Sequence, residues 1–240
     1  MISIIIPCYN ESENVGRLVE SLRTLIDELS SYERVELLLI DDASTDDTYM
    51  RLLNSQHFFA DMIDVLIIRN EINKGLGGSL RVGFDLANGD IVVTIDADGA
   101  YDFHDILPML YDFKDRGLDV LVASPYAIGG GVENVSSYRL ALSVMASKLY
   151  RILLRSDVTC YTSLLRVYKA NVIKSVEFTN NNHMALAELL VGALLKGYNV
   201  ADYPTILHGR IGGQSSMKIL RTVKDHLNLL IQTLRKVVTR

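Results

Sequence analysis

Ile91-Val92-Val93-Thr94-Ile95-Asp96-Ala97-Asp98 decides how the chain is read. Five largely apolar residues suit a strand buried on both faces, and they run without a spacer into two carboxylates two positions apart. Similar runs stand at Ile2–Ile6, ended by Pro7, at Val35–Ile40, at Val65–Ile68 and at 119–123. Between them the period changes to that of helices. Val15, Leu18, Leu22, Leu25, Ile26 and Leu29 predict a helix from Ser12, and Asp46 or Asp47 is placed to cap a short one through Asn54. Further helices are expected near Ser79–Leu86 and His104–Arg116. Strands and helices alternating in this way predict an α/β fold built on an open, mostly parallel, doubly wound sheet. Functional groups in such sheets collect at the carboxyl ends of strands. Here those ends carry Pro7-Cys8-Tyr9-Asn10-Glu11, Asp41-Asp42, Arg69-Asn70 and Asp96-Ala97-Asp98.

The second half has another texture. Gly129-Gly130-Gly131 leads to a helix at Ser137–Arg155, then a strand near Ser163–Val167 and a helix near Met184–Lys196. A strand near Val200–Ile206, a polar loop at Gly209–Ser216 and a helix over Met217–Val238 complete a C-terminal helical annex. No repeat or linker interrupts the chain, so one domain over 1–240 is expected, in two halves, 1–125 and 126–240. At 240 residues, 49% hydrophobic with 4 prolines, it is no disordered chain. No apolar run reaches the roughly 18–20 residues of a membrane span. Met1–Ile6 lacks the basic start of a signal peptide, so the expected location is the cytoplasm, with reduced Cys8 and Cys160. The net charge of −5 argues against nucleic acid as a partner. That charge is unevenly spread: residues 136–155 carry +4 and 218–240 carry +5, which leaves −14 for the rest.

Asp96 and Asp98 suit a hard cation, Mg²⁺ or Mn²⁺, of the kind held by one or two carboxylates and completed by substrate phosphates. The structural alternative is a helix cap. A carboxylate of the Asp41–Asp47 turn can take the N–H edge of a base or ribose hydroxyls, or it can simply cap. Tyr9 offers a face to stack on. Lys74 and Gly75, at a helix start, offer a cation and close backbone approach to phosphate. There is neither a Walker loop nor a GxGxxG after the first strand, which argues against P-loop and dinucleotide-dehydrogenase chemistry.

In order, Pro-x-Tyr-Asn-Glu, Asp-Asp-x-Ser-x-Asp, Asn-Lys-Gly-x-Gly and Asp-Ala-Asp resemble the inverting glycosyltransferases of family 2, with the GT-A fold. Gly129-Gly130-Gly131-Val132-Glu133, Thr162-Ser163-Leu164-Leu165-Arg166 and Gly213-Gln214-Ser215-Ser216-Met217-Lys218 look like segments of the dolichyl-phosphate mannose synthase group. The resemblance implies transfer of a hexose, mannose or glucose, from a GDP- or UDP-linked donor to a polyprenyl phosphate. It assigns the nucleotide sugar to Pro7, Tyr9, Glu11, Asp41, Asp42, Lys74, Gly75, Asp96 and Ala97, and the metal to Asp96 and Asp98. Asp98, Arg166 and Arg210 are then the catalytic set, and Arg139, Arg166, Ser215 and Lys218 the acceptor set. The chain departs from the group's pattern at Ala100, where Gln is usual, at Pro125 for Arg, at Cys160 and Leu164 for Asp and Gly, and at Ser216 for Lys.

A phosphate acceptor needs cations to position it and no general base, whereas a sugar hydroxyl needs a carboxylate. Glu188 is the fallback base, with a capping role as its structural alternative. Alternatives to the lipid acceptor are a saccharide or soluble acceptor, or a catalytically silent nucleotide-sugar-binding adaptor. The terminal helix is amphipathic and basic, as is Ser137–Arg155. At least one of them is therefore expected to lie on an anionic membrane surface at its cytosolic side, the alternative for each being to pack on the sheet or form a homodimer.

Overall fold

The computed structural model describes residues 1–30, 33–59, 62–209 and 219–238. In chain order the strands are β1 (Ile2–Cys8), β2 (Val35–Asp41), β3 (Asp64–Arg69), β4 (Ile91–Thr94), β5 (Val120–Ser124), β6 (Gly131–Glu133), β7 (Arg166–Lys169), β8 (Val200–Pro204) and β9 (Ile206–His208). The helices are α1 (Val15–Ser30), α2 (Thr48–Ser55), α3 (Gly75–Leu86), α4 (Ile106–Asp115), α5 (Ser137–Leu154), α6 (Ala170–Ser175), α7 (Met184–Leu195) and α8 (Ile219–Val238). Seven strands form one sheet in the order β3-β2-β1-β4-β7-β5-β8, and β6 pairs with β9 apart from it.

The sheet is parallel except at β7, which runs antiparallel between β4 and β5. Its sequence, Arg-Val-Tyr-Lys, is short and charged at both ends, and lacks the continuous apolar run that announces a parallel strand. β1 also continues through Pro7, where the sequence suggested it would stop. Ile95 N–H donates to Ile5 O, so residues 5 and 7 turn their backbone groups toward β4, whose pairing ends at Ile5 and Thr94. The N–H that Pro7 lacks therefore falls beyond the ladder and costs nothing.

Both faces of the sheet are covered. Ile2, Ile4 and Ile6 meet α1 and α4, while Ile5 meets the layer of α3, α5 and α7 on the other side. α1 buries Val15, Leu18, Leu22, Leu25, Ile26 and Leu29, the stripe its periodicity predicted. α5 packs against α8, but the apolar arc of α8 is only half used. Val223, Leu230 and Val237 are half-buried against the body, whereas Leu227, Ile231, Leu234 and Val238 face outward. Among the described residues, no helix is long and apolar enough to cross a membrane.

α3 starts under a close lid of backbone. A Cβ on Gly77 would meet Asn180 O at 2.1 Å and Ala185 Cβ at 2.7 Å, and one on Gly75 would meet Asn181 O at 2.3 Å. These glycines let the 178–182 loop lie on the helix. Gly77→Ala is expected to destabilise the protein by about 1–3 kcal/mol through overpacking. Gly16→Ala, in α1 with open space around it, is expected to stabilise by roughly 0.4–1 kcal/mol. Urea denaturation of the two variants checks both signs.

Candidate active site

Asp42 follows β2 and is 3% exposed. Its Oδ1 accepts from Asn70 Nδ2 and from Lys74 N, each at 2.8 Å, and its Oδ2 accepts from Gly75 N at 2.7 Å. The carboxylate thus holds the first amides of α3, where the helix dipole favours an anion. Gly77 N donates to Asn181 O at 2.9 Å. The expectation that Gly75 lends its amide to phosphate is therefore corrected, since that donor already serves Asp42. The Lys74 side chain is exposed at the same edge.

Asp41 is fully buried, paired with Arg69 Nε at 3.3 Å, and its Oδ1 has no partner. Arg69 also lies over the Tyr49 ring at 4.8 Å. Asn10 (φ 54°) and Ala43 (φ 57°) turn the chain sharply after β1 and β2. The two turns are tied together: Thr45 N donates to Asn10 Oδ1 at 2.8 Å, and Glu11 N donates to Thr48 Oγ1 at 2.8 Å. Asp46, rather than Asp47, accepts from Thr48 N, at 2.9 Å. Burial works to raise the Asp46 pKa, but hydrogen bonds from Thr48 and Ser12 prevail and hold it below the usual carboxylate range. Tyr9 remains 39% exposed beside these turns, and Glu11 accepts from Asn14 Nδ2 at 2.6 Å.

Asp96 and Asp98 follow β4, with Ala97 buried between them. Asp98 is 3% exposed and accepts from Ala100 N at 3.0 Å, across a turn closed by Gly99 at φ 73°. Both carboxylates line a cavity of about 280 Å³ whose other walls come from α5, α7 and α8. Arg139, in the first turn of α5, lines the same cavity. Among the described residues that line it these two are the only carboxylates, and two oxygen ligands with substrate phosphates completing the shell suit Mg²⁺ or Mn²⁺.

Sequence reasoning missed a group of hydroxyls on this wall. Ser143 and Thr162 share a hydrogen bond of 2.6 Å, and Tyr101, Tyr126 and Ser163 line the cavity beside them. Burial pushes the Tyr126 phenol up to about 12 and raises Tyr101 well above its ordinary value, so both stay protonated donors. Tyr126 stands just past the carboxyl end of β5, and the strand-end rule applied there would have found it.

Arg166 is corrected. It is fully buried in β7, where Nη1 donates to Leu186 O at 2.7 Å and Nη2 to Tyr161 O at 2.9 Å. It ties α7 and the 160–165 segment to the sheet and does not face the cavity. Glu188 is likewise committed, accepting from Thr179 N at 3.0 Å and from Asn180 N and Nδ2 at 2.9 Å. Arg210, Ser215 and Lys218 lie outside the described residues.

A nucleotide-sugar transferase of the GT-A type has this strand order and this acidic edge, and solved structures bear the fold out. Glucosyl-3-phosphoglycerate synthase from Mycobacterium tuberculosis, solved with Mn²⁺, UDP and phosphoglyceric acid, superposes with a TM-score of 0.67 at 19% identity, over 99% of this chain and 78% of that one. The chain belongs to glycosyl transferase family 2, whose family model matches residues 3–176. It is 30% identical to the dolichol-phosphate mannosyltransferase of Pyrococcus furiosus, over 98% of this chain and 64% of that protein. It is 30% identical to the polyprenol monophosphomannose synthase of Mycolicibacterium smegmatis (89% and 80%), and 28% identical to the dodecaprenyl-phosphate galacturonate synthase of Rhizobium johnstonii (95% and 65%). The chain spans less than two thirds of the length of the first and third of these.

Arg166→Met removes the buried guanidinium that joins Leu186 O and Tyr161 O and is expected to cost about 2 kcal/mol or more in unfolding free energy. Arg139→Met, at an exposed position, is expected to shift it by less than about 0.5 kcal/mol. Chemical denaturation of both variants measures the contrast.

Proposed function

We propose that the protein transfers a hexose, mannose or glucose, from a GDP- or UDP-linked donor to a polyprenyl phosphate at a membrane surface, with inversion at the anomeric carbon. The observation that carries this reading is the cavity, with Asp96, Asp98 and Arg139 among its walls and apolar side chains of α5 and α8 completing it. A site for a phosphorylated sugar donor thus opens onto an apolar surface.

An oxygen of the acceptor phosphate attacks the anomeric carbon, and the bond from that carbon to the diphosphate breaks with the nucleoside diphosphate leaving. A phosphate monoester is largely dianionic near pH 7, so no proton has to be removed. That accords with Glu188 being held by the 179–180 backbone and with Asp96 and Asp98 being, among the described residues, the cavity's only carboxylates. Arg139 positions the acceptor anion by charge and hydrogen bonds, and the Tyr101 and Tyr126 hydroxyls donate to phosphate oxygens. Asp96 and Asp98 would hold Mg²⁺ or Mn²⁺. When bound, the cation supplies Lewis-acid stabilisation of the leaving diphosphate. Tyr9, exposed at the end of β1, faces the nucleoside; Asp42 shapes the α3 edge of that site, and buried Asp41, paired with Arg69, supports the turn from beneath.

The membrane contact rests on the outward apolar residues of two packed helices. Tyr138, Met145, Leu149 and Ile152 of α5 and Leu227, Ile231, Leu234 and Val238 of α8 are each at least 43% exposed. Exposed Arg139, Lys148, Arg151 and Lys224 on the same helices complement anionic headgroups.

Three measurements test the reading. With Mn²⁺ present, the cognate nucleotide or nucleotide sugar at about 100 times its Kd raises stability by ~2.7 kcal/mol, and a thermal-shift panel of GDP, UDP and their sugars identifies it. Asp98→Ala is expected to lower transfer to polyprenyl phosphate by at least about 10²-fold, and unchanged transfer would remove the metal assignment. Ile231→Glu with Leu234→Glu is expected to abolish flotation with anionic vesicles while leaving the melting temperature unchanged. Flotation equal to that of the parent would sink the membrane contact.

A further inference from the structure

The cavity has a measurable length, which bears on how much of an acceptor it can touch. Arg139 and Ser143 line it near the start of α5, and Met145, Ala146 and Leu149 line it further along the same helix. From Arg139 to Leu149 is ten residues, or about 15 Å of helix. Leu186 of α7 and Val223, Leu227 and Leu230 of α8 form other parts of the wall. Near the Leu149 end, the Tyr150 hydroxyl and His226 Nδ1 are 3.1 Å apart. A hydrogen-bonded imidazole in the wall there is a poor neighbour for more hydrocarbon. With the phosphate at Arg139, the wall left for hydrocarbon runs along α5 from Ser143 to Leu149, six residues or about 9 Å of helix. That is the length of about two five-carbon units. Met145, Leu149 and Leu227 line the cavity and are also exposed, so it opens between α5 and α8 toward the outward apolar stripe.

We propose that the protein reads its acceptor only through the phosphate and the first two or so isoprenoid units, leaving the rest of the chain outside between α5 and α8. This rests on the polyprenyl-phosphate reading above and narrows it. The occupant is a prenyl chain and not a peptide or a sugar, because the walls along α5 past Ser143 and along α8 are chiefly aliphatic while Asp96, Asp98 and Arg139 supply the polar contacts. The first units are held by fitted walls, and later ones meet only the fluid environment that any lipid offers.

The test uses the full chain, the donor identified by the panel, and monomeric dimethylallyl, geranyl, farnesyl and geranylgeranyl phosphates without detergent. A long-chain polyprenyl phosphate in mixed micelles is the reference. From dimethylallyl to geranyl, kcat/KM is expected to rise by at least about tenfold, since five further carbons are buried. From geranyl to geranylgeranyl it is expected to change by less than about threefold, because no further wall is met. Ala146→Phe and Leu149→Phe, which fill the far part of the cavity, should bring the geranyl-to-dimethylallyl ratio close to one. Leu149 is 43% exposed, so its variant keeps the test open if Ala146→Phe fails to fold. A steady rise through geranylgeranyl, no rise after dimethylallyl, or variants that leave the ratio unchanged would overturn the proposal. If the long-chain lipid is glycosylated and geranyl phosphate is not, the inference falls while the lipid-acceptor reading stands. If no prenyl phosphate of any length accepts sugar and a saccharide does, the lipid-acceptor reading itself falls.

Discussion

A buried carboxylate at the end of β2 holds the site in place. Asp42 accepts the opening amides of α3 and the side chain of Asn70, so the end of β2, the residue after β3 and the start of α3 meet at one anion. Its oxygens satisfy donors that a helix terminus would otherwise leave unpaired in a water-poor place. From there the order spreads. Gly77 N reaches Asn181 O, Arg81 donates to Phe178 O and Asn180 O, and Glu188 clasps the same loop from α7. α7 in turn is tied to the sheet through Leu186 and Arg166. The wall of the cavity thus hangs on a chain of polar contacts that begins well away from it.

The same interaction explains which parts of the site were legible in the sequence. The carboxyl-end rule placed Asp42, Asp96 and Asp98 correctly, because parallel strands buried on both faces leave a continuous apolar run that ends where the site begins. Gly75 was misread. A glycine-bearing helix start looks the same whether it is open to a phosphate or covered by backbone more than a hundred residues later. Arg166 was misread for a related reason: its motif names the residue type, and only the antiparallel insertion of β7 decides that its guanidinium turns inward. The hydroxyls of Ser143, Thr162 and Tyr101 come from separate elements and converge only in three dimensions. The three long helices of the annex were read almost to the residue, while the six-residue α6 was missed, and which half of α8's apolar arc meets the body is a matter of packing.

Charge and shape divide the labour. The remainder of the chain, at −14, presents carboxylates at the edge of the sheet, while the two basic helices present lysines and arginines beside an exposed apolar stripe. An acidic region would be repelled from an anionic surface, so under the proposed membrane contact the charge separation would favour one orientation in which α5 and α8 lead.

The position of β7 has a consequence for how the protein is made. β4 and β5 are not neighbours, and the strand that joins them begins at Arg166, some seventy residues after β4 ends at Thr94. During synthesis the β4 edge stays open until that segment has left the ribosome, and a chain halted near residue 125 would carry two bare sheet edges. Open edges recruit other strands. Dividing the gene near residue 125 would therefore yield fragments that aggregate rather than two working modules, and it would also part Asp96 and Asp98 from Arg139, with which they line one cavity.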